Sequence, residues 1–159
     1  MVRTFEILAS RILVVDDLES NVLLLERTLR DAGYTSVEST MEPREVSVLH
    51  RKAPFALILL DLKMPGMDGF QVMKEIGEFE PDGYLPVLVI TAEPGHKLRA
   101  LRGGARDFVS KPFDLAEVLM RVRNVLEVSV IRSKIKVLRQ ELADALVASA
   151  VAFSQTMPA

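Results

Sequence analysis

The segment Phe55-Ala56-Leu57-Ile58-Leu59-Leu60-Asp61-Leu62-Lys63-Met64-Pro65-Gly66-Met67-Asp68-Gly69 decides the fold. Six apolar residues run without interruption into one carboxylate, Asp61, and a Pro-Gly turn follows. A short apolar run bounded by turn residues is typical of a strand buried on both faces of a sheet. An acid directly after it lies at the carboxyl end of the strand, where open parallel sheets bind ligands. Other side chains of a site at this edge should follow the neighbouring strands in the same way.

Four more short runs with strand character alternate with helical patterns along the chain. They occupy residues 12–15, 34–39, 86–90 and 107–110. Strands that alternate with helices predict a parallel sheet covered by helices on both faces. Short right-handed crossovers favour the strand order 2-1-3-4-5. The predicted fold class is therefore α/β, a doubly wound five-stranded parallel sheet of the flavodoxin-like type with an extended C-terminal helix.

The composition narrows the class of protein. A chain of 159 residues with 49% hydrophobic residues predicts one domain with a sizeable core and a short appendage. A net charge of -2 gives no support for direct nucleic-acid binding, and the absence of cysteine excludes disulfides and thiolate metal sites. No apolar run reaches the ~18 residues of a membrane span, so we expect a cytoplasmic protein without membrane contact. The two histidines, His50 and His96, have no partner that the sequence identifies, and we predict that both are solvated.

Polar side chains follow four of the five predicted strands. Asp16 and Asp17 follow the first strand, Asp61 the third, Thr91 the fourth and Lys111 the fifth. Because the carboxyl ends of parallel strands share one edge, these groups should converge on a shallow cleft. Three close carboxylates repel one another unless a proton or a cation compensates them. Oxygen ligands of this kind suit a hard divalent ion such as Mg²⁺.

The predicted cleft has the chemistry of phosphoryl transfer. The ammonium of Lys111 suits a phosphoryl oxygen, and Thr91 can donate a hydrogen bond to a second oxygen. No histidine or cysteine is expected near this edge, so the candidate nucleophile is a carboxylate, which forms an acyl phosphate. Positioning and charge neutralisation do most of the catalytic work in such reactions.

Four segments at these strand ends together resemble the receiver domain of two-component response regulators. They are Val14-Val15-Asp16-Asp17, the segment from Leu59 to Gly69, Thr91-Ala92, and the segment from Gly104 to Phe113. The similarity covers residues 11–127. It implies that Asp61 accepts a phosphoryl group from a sensor histidine kinase or a phosphotransfer protein.

The resemblance also implies roles for the other residues of the cleft. Asp16, Asp17 and Asp61 would hold Mg²⁺ together with the backbone carbonyl of Lys63. Lys111 would pair with the phosphoryl group, or with Asp61 before transfer. The peptide bond between Lys111 and the following proline is cis in this family, which would direct the lysine into the site.

Four residues are assigned to switching and to lifetime by the same resemblance. Thr91 would follow the phosphoryl oxygens inward, and Phe108 would pack inward as Thr91 moves. Lys63 and Glu93 stand where the family tunes the lifetime of the acyl phosphate. The chain would then be a signalling domain that catalyses only its own phosphorylation and slow dephosphorylation. Its change of conformation would control dimerisation or partner binding.

Single residues of the set also have plainer interpretations. Asp61 alone is compatible with a turn or a helix cap. Asp16 and Asp17 are compatible with capping the first long helix, a role that also suits Ser20. Phe108 is a packing residue whatever else it does.

Three other functions compete with this interpretation. A receiver-like scaffold could serve interaction or dimerisation without phosphorylation, but the complete acidic set and Lys111 argue against it. A phosphatase with an aspartate nucleophile needs a second acid two positions after a nucleophile on the first strand, and Asp17-Leu18-Glu19 is a poor version of that motif. Neither Gly-x-Gly-x-x-Gly nor a P-loop is present, which disfavours a nucleotide-binding domain.

The sequence after residue 126 predicts a helical extension. Six apolar residues recur there at intervals of three and four, the spacing of a coiled-coil seam. They are Val128, Ile131, Ile135, Leu138, Leu142 and Ala145. A single helix cannot bury such a stripe against itself, and exposed stripes usually mark an interface. We therefore expect a homodimer through this helix, with docking onto the receiver surface or onto a partner as alternatives.

The predicted organisation has three parts. Residues 1–10 form an N-terminal extension, residues 11–127 the receiver domain, and residues 128–159 a C-terminal helical extension and tail. The last part has room only for a helix and a tail, so no output domain is predicted within the sequence.

Overall fold

The computed structural model of the chain describes residues 2–80 and 82–156. Its strands are β1 (Arg11–Val15), β2 (Ser36–Thr40), β3 (Leu57–Asp61), β4 (Val87–Thr91) and β5 (Asp107–Ser110). Its helices are α1 (Thr4–Leu8), α2 (Glu19–Asp31), α3 (Glu45–Lys52), α4 (Gly69–Phe79), α5 (Gly95–Arg102) and α6 (Leu115–Thr156). The first residue of the predicted extension and residues 157–159 of the predicted tail lie outside the described part.

The five strands form one parallel sheet in the order β2-β1-β3-β4-β5, which confirms the predicted fold class. Every residue of β3 and β4 is buried, as expected for central strands covered by helices on both faces. The register sets Asp61 beside Ile90 and Thr91 beside Ser110. The carboxyl ends of β3, β4 and β5 therefore lie at one edge of the sheet.

Two apolar clusters hold the helices on the faces of the sheet. One cluster joins α3, α4 and α5 to one face, and the other joins α1, α2 and α6 to the opposite face. Alternate residues of β3 serve the two clusters, since Leu60 belongs to the first and Leu59 to the second. Full burial of a leucine side chain stabilises a fold by about 1.5–3 kcal/mol. The strand that carries Asp61 is thus anchored from both sides.

Two helices, α4 and α2, begin near the predicted cleft, and the sequence predicted the cap of only one of them. The sequence places Gln71 three residues after Asp68, the spacing of a capping box, and the structure confirms it. The Asp68 carboxylate accepts a hydrogen bond from the N–H of Gln71 at 2.9 Å, and the N–H of Asp68 donates to the side-chain oxygen of Gln71 at 2.9 Å. The prediction that Ser20 caps α2 is wrong. The N-cap of α2 is Leu18, and no side chain bonds to the helix from that position. Asp16 instead binds this turn, because its carboxylate accepts a hydrogen bond from the N–H of Leu18 at 2.9 Å.

Helix α6 continues far beyond the sheet as one element of 42 residues. At about 1.5 Å per residue it is about 63 Å long. From Ile135 to its end at Thr156 every described residue is exposed. Among residues 2–80 and 82–156, no helix combines the length and the apolar composition that crossing a bilayer requires.

Contacts near residues 129–134 hold α6 where it leaves the sheet. The hydroxyl groups of Tyr84 and Ser129 are 3.1 Å apart, and the guanidinium of Arg132 lies 3.9 Å from the centre of the Tyr84 ring. On another side, α1 packs against α6, with Ile7 only 2% exposed. The Glu6 carboxylate accepts hydrogen bonds from the N–H of Arg3 and from the ammonium of Lys134, and these lower the pKa of Glu6. The N-terminal extension therefore includes a helix that the sequence did not predict.

The prediction that His50 is solvated is wrong. Its side chain is 2% exposed, and it stacks beside the ring of Phe55. Nδ1 accepts a hydrogen bond from the backbone N–H of Phe55 at 3.0 Å, and Nε2 lies 2.9 Å from a carboxylate oxygen of Glu80. Phe55 lies in the loop before β3 and Glu80 just after α4, so the spacing along the helix could not identify them.

Candidate functional site

Three carboxylates meet at the edge formed by the strand ends. Asp16 follows β1 and is 1% exposed, Asp61 ends β3 and is 4% exposed, and Asp17 is half-buried. One oxygen from each lies within 4.8 Å of the other two. We call these three residues the acidic edge. Their convergence is the arrangement predicted from the sequence.

Asp61 is held by one backbone donor and one ammonium. Its Oδ1 accepts a hydrogen bond from the N–H of Lys63 at 3.2 Å, and its Oδ2 accepts one from the ammonium of Lys111 at 3.2 Å. Burial raises the pKa of Asp61, and the negative charge of Asp16 raises it further, although both donors act in the opposite direction. The raised pKa means that the protein alone does not fully compensate the charge on this carboxylate.

Asp16 is oriented by α2 as well as by the cleft. Its Oδ1 accepts from the N–H of Leu18, its Oδ2 accepts from the side-chain amide of Asn21 at 3.1 Å, and the ammonium of Lys111 lies 3.6 Å from Oδ2. Neither bond caps α2, because one donor is the N–H of Leu18, which precedes the helix, and the other is a side-chain amide, so the capping interpretation of Asp16 is wrong. The sequence analysis missed Asn21, whose only signal was its position in the first turn of the helix after the acidic pair.

Lys111 reaches the acidic edge from the end of β5. Its side chain is 21% exposed, and its backbone N–H donates to the carbonyl of Thr91 at 2.9 Å. The peptide bond to Pro112 is cis, as the resemblance implied. The single ammonium thus lies within 4 Å of two acids that come from different strands.

Thr91 and Phe108 lie in different surroundings. Thr91 is 3% exposed, and its hydroxyl oxygen accepts a hydrogen bond from the N–H of Glu93 at 3.1 Å. Phe108 is half-buried against the cluster under α3, α4 and α5. Its ring centre lies 4.8 Å from the ammonium of Lys97 and 5.8 Å from the guanidinium of Arg121. The packing part of the Phe108 prediction is therefore visible, while its movement stays a prediction.

The two residues assigned to acyl-phosphate lifetime face each other. The ammonium of Lys63 lies 3.5 Å from Oε1 of Glu93. His96 joins them, because its Nε2 lies 3.2 Å from Oε2 of Glu93. The predictions that His96 is solvated and that no histidine lies near this edge are wrong. The sequence showed only that His96 follows Glu93 by three residues, a spacing that brings side chains together when the segment turns.

Gly69 is a second residue that the sequence analysis did not single out. A Cβ at this position would lie 2.7 Å from the carbonyl oxygen of Asp61 and 2.8 Å from Cα of Leu62. Backbone atoms cannot yield as a flexible side chain can, so only glycine allows this close approach. Gly69 therefore lets α4 begin directly against the end of β3.

The donor set fits a hard divalent cation. It consists of three carboxylates, two of them buried, and the pKa of Asp61 is raised mainly by burial and further by the charge of Asp16. Mg²⁺ prefers oxygen ligands and is usually held by one or two carboxylates with waters and a phosphate group. One ammonium cannot neutralise three carboxylates, so the acidic edge still favours a bound cation.

Comparison with known proteins gives the same family throughout. Response regulator PleD of Caulobacter vibrioides is 41% identical over 121 residues, which are 74% of this chain and 26% of PleD. The chain therefore spans about a quarter of the length of that relative. A receiver domain of sensor histidine kinase PA1611 from Pseudomonas aeruginosa, described with a magnesium ion in its active site cleft, is 26% identical with a TM-score of 0.68. The match covers 75% of this chain and 98% of that domain.

A third relative is described as the beryllofluoride-activated receiver domain dimer of NtrC4. It is 32% identical with a TM-score of 0.67, over 75% of this chain and 98% of that one. Residues 12–123 match the family described as the response regulator receiver domain, which is more than half of the chain. The chain therefore belongs to the receiver domain family of two-component response regulators.

Proposed function

We propose that this chain is a phosphoacceptor switch in which Asp61 accepts a phosphoryl group from a sensor histidine kinase or a phosphotransfer protein. The observation that carries the proposal is the position of Asp61, buried at the end of β3 with the Lys111 ammonium 3.2 Å from one of its oxygens. A carboxylate with a cation on one side and further acids on the other suits attack on phosphorus in a charge-neutralised cleft. The cytoplasmic location expected above is part of the same proposal.

The proposed transfer forms one bond to phosphorus and breaks another. An oxygen of Asp61 forms a bond to phosphorus while the bond from phosphorus to the donor's imidazole nitrogen breaks, and the nitrogen keeps the electron pair. Lys111 neutralises charge on the phosphoryl oxygens. Asp16, Asp17, Asp61 and the backbone carbonyl of Lys63 would hold Mg²⁺, which supplies further charge neutralisation when bound.

The switch step would use groups that already touch the site. Thr91 can donate its hydroxyl proton to a phosphoryl oxygen, and an inward movement of that hydroxyl would break the hydrogen bond that it accepts from the N–H of Glu93. Phe108 would adjust its packing as Thr91 moves. The loop after β4 would therefore respond first, because its backbone loses a bond when the hydroxyl leaves.

Incubation with Mg²⁺ and a small phosphodonor such as acetyl phosphate tests the acceptor role. We expect wild type to gain one phosphate that is stable in acid and labile in base, and Asp61→Asn to gain none. Asp68→Asn is the matched control, because it removes an acid from the same loop and asparagine caps helices about as well as aspartate. Equal labelling of wild type and Asp61→Asn would contradict the proposal, as would labelling that persists after chelation of Mg²⁺.

The proposed output is homodimerisation through α6. The α6 stripe, meaning the six predicted seam positions, is exposed along its whole length, with Val128 at 46% and Leu142 at 61%. Val122, Leu126 and Ser129, which face the sheet from the same helix, are at most 5% exposed. The stripe therefore lies on a different side of α6 from the residues that pack on the sheet, and it is exposed to a second helix.

The same stripe favours a second candidate function. A receiver-like scaffold that pairs through α6 without phosphorylation needs only this helix, and none of the stripe residues touches the acidic edge. The two candidates differ in one respect: a scaffold would pair equally well with Asp61→Asn. The phosphoacceptor switch would show a change in pairing or partner binding when Asp61 is labelled.

A further inference from the structure

His96 lies at the start of α5, beside a carboxylate that also faces Lys63. Its Nε2 is 3.2 Å from Oε2 of Glu93, while Oε1 of the same carboxylate is 3.5 Å from the Lys63 ammonium. Lys63 belongs to the loop after β3, and its N–H donates to Asp61. Glu93 belongs to the loop after β4, and its N–H donates to Thr91. The three side chains therefore bridge the two loops whose backbones hold the proposed phosphoacceptor and the proposed switch residue.

The His96 ring is held in place by packing more than by its own hydrogen bonds. It meets the ring of Phe70 edge-on, with 5.5 Å between the ring centres, and Arg99 lies over Phe70 at 3.7 Å. Its Nδ1 is buried and has no hydrogen-bond partner in the part of the chain that the structure describes. An unpaired buried nitrogen costs stability. The one close polar contact of the ring that the structure describes is the approach of Nε2 to the Glu93 carboxylate at 3.2 Å.

Lys63 and Glu93 alone would form a weak pair. Their side chains are 84% and 48% exposed, and ion pairs at such exposure contribute little because water and side-chain freedom compete with them. The His96 side chain is less exposed, at 32%. Because packing fixes the His96 ring, the ring restricts the movement of the Glu93 carboxylate. His96 therefore holds that carboxylate opposite Lys63.

We propose that His96 is a positioning residue that holds Glu93 against Lys63 and thereby lengthens the life of the acyl phosphate on Asp61. The inference rests on the proposed function. In hydrolysis, a water oxygen forms a bond to phosphorus, and the bond from phosphorus to the Asp61 oxygen breaks with its electron pair staying on the carboxylate. The proton of the water leaves with the inorganic phosphate. A bridge between the two loops limits the approach of water, so its loss speeds this step without changing the groups that accept the phosphoryl group.

The half-life of the acyl phosphate after removal of the donor tests the proposal. We expect His96→Leu to shorten it about two- to fivefold, the rate factor equivalent to the energy of an exposed ion pair. His96→Gln keeps an N–H donor and should restore most of the half-life. The rate of labelling should match wild type in both. Arg102→Leu, which removes an exposed cation from the same helix, is the control and should leave the half-life unchanged.

Glu93→Gln separates positioning from a general effect on folding, because it changes only an exposed side chain. We expect it to shorten the half-life as His96→Leu does, and the double variant to show no further loss, since both changes break one bridge. Equal half-lives in wild type and His96→Leu would overturn the proposal, as would an undiminished effect of His96→Leu in the Glu93→Gln background. Those results would leave the phosphoacceptor role intact, whereas failure of wild type to take up phosphate would overturn both.

Discussion

Charged side chains are usually exposed and apolar side chains usually buried. The acidic edge and the α6 stripe break this rule in opposite ways. The edge buries two carboxylates next to a third, with one ammonium within 4 Å of two of them. The stripe exposes six apolar positions on one side of a helix. Charged groups are rarely buried without compensation, and large apolar stripes are rarely exposed without a partner. The chemistry of the edge therefore favours a cation or phosphoryl group, and that of the stripe favours an apolar surface.

The two regions are joined through the sheet. Tyr84, which contacts α6 at Ser129 and Arg132, lies just before β4, and Thr91 ends that strand at the site. Helix α1, which packs against α6, precedes β1, and Asp16 follows that strand. Elements that hold α6 therefore lead directly into strands that hold the site. Substitutions in one region at a time test what each region contributes to pairing and to stability.

The largest effect should follow from charging the α6 stripe. The double variant Ile135→Glu, Leu138→Glu removes two apolar anchors from each chain, and each anchor is worth about 1.5–3 kcal/mol when buried. We expect dimer dissociation to rise at least ~1000-fold, or about 4 kcal/mol, by sedimentation at several concentrations. Phosphorylation of Asp61 should be unaffected, because the acidic edge is untouched.

The control for this variant is Lys136→Glu, which changes the charge on another side of the same helix and should leave pairing largely intact. A chain cut after Glu127 should sediment as a monomer. If the full chain and the cut chain are both monomeric, the proposed homodimer is wrong.

A smaller effect should follow from removing the ammonium at the acidic edge. Lys111→Met leaves Asp16 and Asp61 buried without their shared cation. Loss of a hydrogen bond to a charged group costs about 1.5–3 kcal/mol, so we expect a decrease of about 2 kcal/mol in the free energy of unfolding at pH 7 without Mg²⁺. Urea unfolding measures it, and added Mg²⁺ should recover part of the loss. A variant as stable as wild type without Mg²⁺ would show that the acids do not depend on Lys111.

The smallest effect should be a gain of stability on neutralising Asp61. Burial raises the pKa of the folded-state carboxyl, so as pH rises the unfolded chain ionises first and the folded state loses stability. Asp61→Asn carries no charge and avoids this loss. We expect the variant to be about 1 kcal/mol more stable than wild type at pH 7 without Mg²⁺, a usual size for single substitutions.

The pH dependence of stability tests the sign of this predicted gain. The difference between Asp61→Asn and wild type should vanish as pH falls below the ordinary aspartate pKa of about 3.9, because both chains are then neutral at this position. Asp68→Asn should show no comparable gain at pH 7. A variant that is less stable than wild type at pH 7 without Mg²⁺ would refute the inference that the charge on Asp61 destabilises the folded state.

Local pattern predicted those parts of the structure that depend on neighbours in the chain. The apolar runs predicted the central strands, and the pair Asp68 and Gln71 predicted a helix start that the structure confirms. The prediction failed for Ser20, because Asp16 bonds to the same turn from the preceding strand end. It failed for His50 and His96 because their partners, or the surfaces that bury them, come from other elements.

The sequence by itself determined the alternation of strands and helices, and with it the edge at which Asp16, Asp17, Asp61, Thr91 and Lys111 lie. This was possible because burial on two faces imposes a local pattern, and because parallel strands place all their carboxyl ends together. Only the tertiary structure decided that Asn21 orients Asp16, that His96 and Lys63 share Glu93, and that α1 packs against α6. The contacts of Lys63 with Glu93 and of α1 with α6 join segments that are far apart in the chain. The contacts of Asn21 and His96 are short in sequence, but they depend on how the chain turns before each helix, which the spacing of residues does not determine.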